Sequence, residues 1–296
     1  MPEYKTDAVN TTGRTPAGAS AWDAALARFH CASDGVPAVP LFGTVINAVR
    51  LDEVFAAIDR RIAQRRPGFV VTPNVDHLCM LCHDEAFAEA YRKAFLVLAD
   101  GIPVLWGSRL FGKAVPEKIS GSDLIYWLTE HAAKQGHSVF FFGAAPGVAA
   151  EAARLLSRRY PGLKVAGCYS PPLGFEKDPV EKEKAIAVVR DAAPDICYVA
   201  LGAPKQDLWN AEAAPLAGVP VMLGIGASLD FVTGRAKRAP VWAQRTGLEW
   251  LWRLCHEPGR LWKRYILRDS RFLVILWREL CYGIRRTAAP SDRPGN

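Results

Sequence analysis

The stretch of sequence that most clearly determines the fold is residues 138–160, SVFFFGAAPGVAAEAARLLSRRY. Residues 138–142 form an apolar run typical of a buried strand, and from Gly147 onward apolar residues recur at helical spacing. Between these two segments, glycine and proline favour a tight turn. A strand, a turn and a helix in this order predict one βα unit of a parallel sheet.

The same alternation extends outward over residues 39–234, where short apolar runs ending in Gly, Pro, Asn or Asp precede helical patterns. The predicted strands are 39–42, 69–72, 97–99, 138–142, 164–166, 196–201 and 219–223. The predicted helices are 51–64, 75–94, 122–135, 147–160, 180–192 and 205–214. This order predicts an α/β domain with a mostly parallel, Rossmann-like sheet flanked by helices. Its ligands are expected beyond the carboxyl ends of the strands.

The charge of the chain is unevenly distributed. The 296 residues carry a net charge of +7, but residues 235–286 alone hold thirteen Lys or Arg against four Asp or Glu, and five of the nine Trp. The rest of the chain therefore sums to −2. Because Trp and Arg are both favoured at lipid headgroups, we interpret 235–286 as a basic helical appendage that meets an anionic membrane surface. A helix that merely covers the sheet with solvated arginines is the alternative.

The two ends of the chain lack sustained periodicity, so we predict a flexible arm over 1–38 and a disordered tail over 287–296. The sequence shows no secretory signal and no apolar run of the roughly 18–20 residues that a membrane span needs. We therefore expect a cytoplasmic protein. Cys79 and Cys82 have zinc or redox spacing, but no second pair completes a site, and we interpret them as reduced core thiols.

Polar residues follow the second and third predicted strands. Thr72 and Asn74 stand between a strand and a helix, where small polar side chains either cap the helix or face a ligand. Asp100 follows the third strand and precedes Gly101, which lets the backbone turn sharply. A single Asp at a strand end is either a turn residue or the general base of an α/β enzyme.

Glycine turns follow three further strands, and they contain Gly143 and Gly147, Gly202 and Pro204, and Gly226. Backbone N–H groups and a helix N-terminus at such turns bind phosphate groups. Nucleotide contact and tight packing are equally compatible with the 143–147 turn alone. Together, however, the three turns predict a crevice suited to a phosphorylated ligand.

Several metal and nucleotide motifs are absent from the sequence. It contains no Asp-x-Asp pair, no G-x-x-x-x-G-K-[ST] loop, no G-x-S-x-G elbow and no metal-ligand spacing among its six His. We therefore expect no metal and no other cofactor. A leaving diphosphate would then need Lys or Arg to stabilise its charge.

The ordered set of motifs from about residue 40 to 265 resembles the WecG/TagA/CpsF glycosyltransferases, family 26. The motifs that carry the resemblance are Thr72-Pro73-Asn74, Ala99-Asp100-Gly101, Gly121-Ser122-Asp123, Phe142-Gly143 with Gly147, Pro171-Pro172-Leu173-Gly174-Phe175, Gly202-Ala203-Pro204-Lys205-Gln206, residues 224–231, residues 247–254, Glu257-Pro258 with Arg260, and Arg264-Tyr265. Two residues depart from the family pattern, since Lys118 and Asp207 stand where Arg and Glu are frequent.

The resemblance implies an inverting, metal-independent transfer of a hexosyl unit from a UDP-sugar to a polyprenyl-diphosphate-linked sugar at the inner face of the bacterial membrane. N-acetylmannosamine, its uronic acid and glucose are the sugars that the family transfers. By the same resemblance, Asp100 is the general base, and Thr72 and Asn74 orient the sugar. Gln206 and the turn from Gly202 to Pro204 contact the donor.

The resemblance further assigns Asp230 to the nucleoside, and Arg253, Arg260 and Arg264 to the diphosphate. It implies that the protein binds its two substrates and an anionic membrane surface, that it self-associates, and that it does not bind nucleic acid. Two other functions compete with this interpretation. The Gly143–Gly147 turn is the basis for one alternative, a nicotinamide-dependent oxidoreductase. The basic appendage is the basis for the other, a non-enzymatic membrane or nucleic-acid adaptor.

Overall fold

The structure is a computed structural model that describes residues 35–113, 115–256, 259, 262, 269–277 and 279–280. Most of the predicted arm and the whole predicted tail lie outside these residues. Val36 is already buried, and the first strand begins at Ala38.

The centre of the molecule is a six-stranded parallel sheet, which confirms the predicted α/β class. Its strands stand in the order β4-β3-β8-β7-β5-β6, and every neighbouring pair is parallel. Their bounds are β3 Phe69–Val71, β4 Leu96–Val97, β5 Ser138–Gly143, β6 Lys164–Tyr169, β7 Ile196–Ala200 and β8 Val221–Gly224.

The first two strands form a separate antiparallel hairpin, β1 Ala38–Leu41 and β2 Thr44–Asn47. The prediction that 39–42 belongs to the parallel sheet was therefore wrong, and β2 was not predicted. The reason is the two-residue connection Phe42-Gly43, which is too short for a crossover helix and has positive φ at both residues. Asn47 joins the hairpin to the sheet, because its Oδ1 accepts a 2.7 Å bond from the Val97 N–H.

Helices lie on both faces of the sheet. Their bounds are α1 Leu51–Ala63, α2 Val75–Leu81, α3 Glu85–Lys93, α4 Ile102–Leu110, α5 Gly121–Gln135, α6 Val148–Arg159, α7 Pro179–Ala192, α8 Lys205–Ala217, α9 Ser228–Val232, α10 Val241–Arg245 and α11 Glu249–His256. Short 3₁₀ turns occupy Phe175–Lys177 and Asp269–Arg271, and residues 272–277 are helical.

The single helix predicted over 75–94 is two helices. Asp84 begins α3 by accepting a 3.0 Å bond from the Phe87 N–H, and such an N-cap starts a new helix axis. Helix α4 was not predicted. Cys79 on α2 is a buried thiol as predicted, whereas Cys82 at the end of α2 is exposed, so the core-thiol prediction was wrong for Cys82.

Both faces of the inner strands are buried, whereas the edge strand β6 is partly exposed. On β7, Cys197 and Val199 pack into one hydrophobic cluster, and Ile196, Tyr198 and Ala200 pack into the other. A parallel strand covered on both faces is apolar at every position, which is why these strands read as continuous apolar runs. Within the described ranges, none of the helices has the length and apolar character needed to cross a membrane.

Candidate active site

A cavity of about 370 Å³ lies at the carboxyl ends of β3 and β4. The residues that line it come from the ends of these strands, the first turns of α2, α4 and α5, and the C-terminal segment. They are Asn74, Val75, Asp76, Asp100, Gly101, Ile102, Pro103, Lys118, Ser122, Gln244, Gly247, Glu249, Trp250, Asp269 and Phe272.

Asp100 is held at the wall of this cavity by backbone hydrogen bonds on both sides of it. Its N–H donates to the Pro73 carbonyl at 3.0 Å, and the preceding Ala99 carbonyl accepts from the Ile119 N–H at 2.9 Å. The next residue, Gly101, has φ +99°, a conformation that an L side chain would strain. Asp100 is therefore a half-buried carboxylate fixed between the end of β4 and the start of α4.

Thr72 and Asn74 both follow the end of β3, but they lie in different surroundings. Asn74 lines the cavity and also caps α2, because its Oδ1 accepts a 3.2 Å bond from the His77 N–H. Thr72 is buried and lies outside the cavity lining. A Cβ on Gly121 would stand 3.4 Å from Thr72 Oγ1 and 3.1 Å from the Gly224 carbonyl oxygen, so glycine at 121 lets α5 begin directly against both strand ends.

Two cations converge beside the cavity on Asp123. Lys118 Nζ lies 3.0 Å from Asp123 Oδ2, and Arg238 Nη2 lies 2.7 Å from Oδ1. Burial alone would raise the pKa of Asp123, but the Ser120 hydroxyl and the two cations outweigh it and lower that pKa. In the sequence, Lys118 was noted only as a departure from the family pattern, and Arg238 was not singled out. The fold brings Arg238 to Asp123 from more than one hundred residues away.

The glycine turns stand further along the same edge of the sheet, outside the cavity lining. The chain leaves β5 towards β6 and leaves β7 in the opposite direction towards β8, so the crevice between β5 and β7 is a topological switch point, where α/β proteins place ligands.

The two glycines of the first turn have different surroundings. A Cβ on Gly143 would stand 2.7 Å from the Ala200 carbonyl oxygen, which favours the packing interpretation at that residue. Gly147 and Gly202 have positive φ and face open space. They leave room for a ligand that approaches the backbone closely.

Gln206 joins two of these turns. Its Oε1 accepts a 2.8 Å bond from the Gly226 N–H, and a Cβ on Gly224 would stand 2.7 Å from its Nε2. The side chain is buried and connects the turn after β7 to the turn after β8. The predicted donor contact of Gln206, like those of Pro204 and Asp230, stays a prediction.

Buried titratable groups lie close to the cavity. Asp207, in the first turn of α8, is 1 % exposed, and burial raises its pKa to about 7. Tyr91 is also fully buried, and burial together with the charges of Asp207, Asp100 and Asp76 raises its pKa well above the ordinary value. The Tyr91 hydroxyl lies 2.7 Å from His77 Nδ1. Several carboxylates therefore share a poorly solvated region.

The C-terminal segment supplies the remaining wall of the cavity through Gln244, Glu249, Trp250, Asp269 and Phe272. Sequence reasoning missed these residues as site residues. The family motif at 247–254 contains Glu249 and Trp250, but no sequence motif contains Gln244, Asp269 or Phe272.

The C-terminal segment is also anchored to the hairpin. The Phe272 ring meets the Phe42 ring edge-on at 5.3 Å, and the Glu279 carboxylate accepts a 3.1 Å bond from the Phe42 N–H. The predicted diphosphate cations Arg260 and Arg264, and the side chain of Arg253, lie outside the described residues.

An all-parallel sheet with a carboxylate fixed in a cavity at its carboxyl edge is the arrangement of an α/β enzyme. Comparison with known proteins makes the assignment specific. The family model described as "Glycosyl transferase WecG/TagA/CpsF family" matches residues 39–286, and the chain belongs to this family. The resemblance seen in the sequence is confirmed, and the protein is a glycosyltransferase.

Two relatives carry the same name, N-acetylglucosaminyldiphosphoundecaprenol N-acetyl-beta-D-mannosaminyltransferase. The chain is 36% identical to the protein of Bacillus spizizenii over 216 residues, which is 73% of this chain and 81% of the relative. It is 33% identical to the protein of Bacillus subtilis over 218 residues, 74% of this chain and 82% of the relative. These matches favour the transferase over the oxidoreductase and adaptor alternatives.

Proposed function

We propose that this protein transfers a hexosyl unit, N-acetylmannosamine in the first instance, from a UDP-sugar to a polyprenyl-diphosphate-linked N-acetylglucosamine. The names of both Bacillus relatives support this sugar and this acceptor. The uronic acid of N-acetylmannosamine and glucose are the other donors to test.

The observation that carries the mechanism is the position of Asp100. Its carboxylate belongs to a cavity that also contains Asn74 and Lys118. In the proposed reaction Asp100 takes the proton from the acceptor hydroxyl while that oxygen attacks the anomeric carbon. The new glycosidic bond forms on the face opposite the departing UDP, so a single displacement inverts the configuration. Asn74, held by its capping bond to α2, orients the sugar.

The leaving UDP requires positive charge, and we propose that the protein supplies it without a metal. Lys118 and Arg238 are already fixed beside the cavity by Asp123. We propose that Arg253, Arg260 and Arg264 add to this charge when the donor is bound. Bidentate guanidinium groups suit a diphosphate and neutralise the charge that develops as it leaves.

We further propose that the protein works at the cytoplasmic face of the bacterial plasma membrane, where its lipid-linked acceptor would lie. Large apolar side chains exposed on α4 and on the C-terminal segment support this placement. They include Trp106, Leu110, Trp242, Trp250, Leu273, Trp277 and Leu280. Together with the cations of 235–286, they form the composition expected of a surface that lies against anionic headgroups. Self-association stays a prediction.

The test of the catalytic proposal is the variant Asp100→Asn, which keeps the shape of the side chain and removes its basicity. With UDP-N-acetylmannosamine and a polyprenyl-diphosphate N-acetylglucosamine acceptor, we expect kcat to fall about 10²–10⁴-fold. UDP affinity, measured by calorimetry, should stay within about twofold. Asp191→Asn, an exposed substitution near the end of α7, serves as the matched control. Near-normal turnover by the Asp100 variant would exclude Asp100 as the base.

The donor and the metal requirement are tested on the unmodified protein. The three UDP-sugars are compared by kcat/KM, and the anomeric configuration of the product is read by NMR. We expect the N-acetylmannosamine donor to be preferred, the configuration to be inverted, and the rate to be unchanged by excess chelator or added Mn²⁺. A rate that depends on added Mn²⁺ would contradict the proposed cationic stabilisation of UDP.

A further inference from the structure

A group of metal-ligating side chains lies at the opposite end of the sheet from the cavity. It consists of Asp59 on α1, His131 on α5 and His137 directly before β5. The spacing of the histidines in the sequence did not predict this group, because the fold brings Asp59 to them from more than seventy residues away. Ser122, which lines the cavity, precedes His131 by nine residues of α5, or about 13 Å of helix.

The three side chains point at one another. His131 Nε2 lies 2.9 Å from Asp59 Oδ1 and 3.0 Å from Oδ2, and His137 Nε2 lies 2.9 Å from the same Oδ1. The three ligand atoms all lie within 4.8 Å of one another. Tetrahedral zinc, bound at about 2.0–2.2 Å, holds its ligands roughly 3.4 Å apart. Small side-chain movements would therefore admit an ion, with water as the fourth ligand.

The backbone and a neighbouring ring hold both histidines in this arrangement. Gly136, with φ +75°, caps the C-terminus of α5, and the His137 N–H donates to the Ala132 carbonyl at 3.0 Å. The Phe55 ring stacks on the His131 ring at a centroid distance of 4.4 Å and an angle of 10°. The Phe55 ring thus orients the His131 imidazole independently of Asp59, and the turn after α5 fixes the backbone of His137, as expected of ligands prepared for an ion.

An ion could reach this group from solvent. The side chains of His131 and His137 are 15% and 17% exposed, and that of Asp59 is 36% exposed. Two imidazole nitrogens and one carboxylate form a ligand set suited to zinc and similar divalent ions.

We propose that Asp59, His131 and His137 form a structural zinc site that ties α1 to the turn between α5 and β5, separate from the transfer cavity. The alternative is a metal-free cluster in which both Nε2 atoms donate protons to Asp59. The two differ in a measurable way, because zinc replaces those protons and stabilises only the folded chain.

The experiment uses the full-length protein after removal of metal by chelation and dialysis. Zinc is titrated in competition with a chromophoric chelator, and unfolding temperature is followed in parallel. We expect one zinc ion per chain and, at 100-fold excess over the dissociation constant, a rise in Tm on the order of 5 °C. Co²⁺ bound in place of zinc should give the visible bands of a tetrahedral ion without a thiolate charge-transfer band.

Variants assign the ion to its ligands. His131→Gln, His137→Gln and Asp59→Asn each keep a hydrogen-bonding group, and each should weaken zinc binding about 10-fold or more and remove the Tm rise. The control is Cys82→Ser combined with His83→Gln, which alters another pair of metal-ligating residues and should leave binding unchanged. The proposal is overturned if the control removes binding, if Co²⁺ shows a thiolate band, or if metal-free wild type binds no zinc. Measuring each variant's metal-free Tm separates a lost ligand from a lost fold.

Discussion

The two ends of the parallel sheet are built differently. At the carboxyl end, the strands are followed by the partly buried Asp100 carboxylate and by glycine turns, and a cavity of about 370 Å³ lies beside Asp100. At the amino end, side chains close the strand starts: Asp195 Oδ2 accepts bonds from the Ser138 N–H at 2.8 Å and the Ser138 hydroxyl at 2.9 Å, and Asp195 Oδ1 pairs with Arg65 at 2.7 Å.

The difference shows how one sheet separates stability from chemistry. The Asp195 carboxylate accepts hydrogen bonds from Ser138 at the start of β5, and the Asp195 backbone carbonyl accepts one from the Val221 N–H at the start of β8. The carboxyl end instead keeps charged and polar groups beside an open cavity or in poorly solvated positions. We therefore expect substitutions at the amino end to change stability alone, and those at the carboxyl end to change stability and transfer together.

The largest effect should come from Asp207, which is buried near the carboxyl end. Burial raises its pKa from 3.8 to about 7 in the folded chain. Between these pH values the folded chain binds a proton at Asp207 and the unfolded chain does not. The stability that comes from binding this proton is therefore lost as pH rises towards 7. Asp207→Asn removes this loss. From pH 5 to pH 8, we expect the free energy of unfolding of the wild type to fall relative to the variant by about 3 kcal/mol.

Urea unfolding at several pH values checks this expectation, with Asp191→Asn as an exposed carboxyl control. The control should follow the pH dependence of the wild type. If Asp207→Asn also runs parallel to the wild type, Asp207 is not a buried acid with a raised pKa.

Gln206 tests whether the turns at the carboxyl end are coupled. Gln206→Ala removes the acceptor of the Gly226 N–H and the side chain that packs on Gly224. We expect a loss of stability of about 2 kcal/mol, from an unpaired donor and a cavity. Because the turns after β7 and β8 are then no longer joined, kcat/KM should fall about 10-fold or more.

The control for Gln206 is Gln135→Ala at the exposed end of α5, which should change neither quantity. Kinetics with the UDP-sugar and chemical unfolding measure the two effects. A Gln206 variant that is destabilised but fully active would show that the joined turns do not serve the donor.

Part of the fold and of the site could be predicted from the sequence. The βα order, the class of the fold and Asp100 in the cavity were predictable, because buried parallel strands are continuous apolar runs and strand ends are marked by Gly and Asp. The hairpin was not predictable, because its turn has positive φ at Phe42 as well as Gly43, and Phe is not a residue that marks such a turn in a sequence. The convergence of Lys118 and Arg238 on Asp123, and of Asp59 on two histidines, depends on contacts between distant segments that no local pattern encodes.

At the amino end, Asp195→Ala should affect stability without affecting transfer. The substitution removes the acceptor of the Ser138 N–H and hydroxyl and leaves Arg65 without its partner. Charge-assisted bonds to partly buried groups contribute about 1–2 kcal/mol, and we expect a loss of that size. The kcat per folded molecule should equal that of the wild type, with Asp191→Ala as control. A lowered kcat would show that the two ends are coupled.

The smallest effect should come from Arg65, where an ion pair and the backbone act in opposite directions. Arg65 follows α1 with φ +49°, a left-handed conformation that costs an L residue about 1 kcal/mol and that glycine adopts freely. Its side chain is 59% exposed, so the bond to Asp195 contributes less than about 1 kcal/mol. Arg65→Ala loses the ion pair and keeps the strain, whereas Arg65→Gly loses both.

We therefore expect Arg65→Ala to be less stable than the wild type by under about 1 kcal/mol, and Arg65→Gly to be at least as stable as the wild type. Urea unfolding at low and high salt separates the two contributions, because salt screens the exposed ion pair and leaves the backbone strain unchanged. The wild type should approach Arg65→Ala at high salt, while the gap between Ala and Gly stays constant. If Gly proves less stable than Ala at both salt concentrations, the left-handed conformation of residue 65 does not limit the stability of this end of α1.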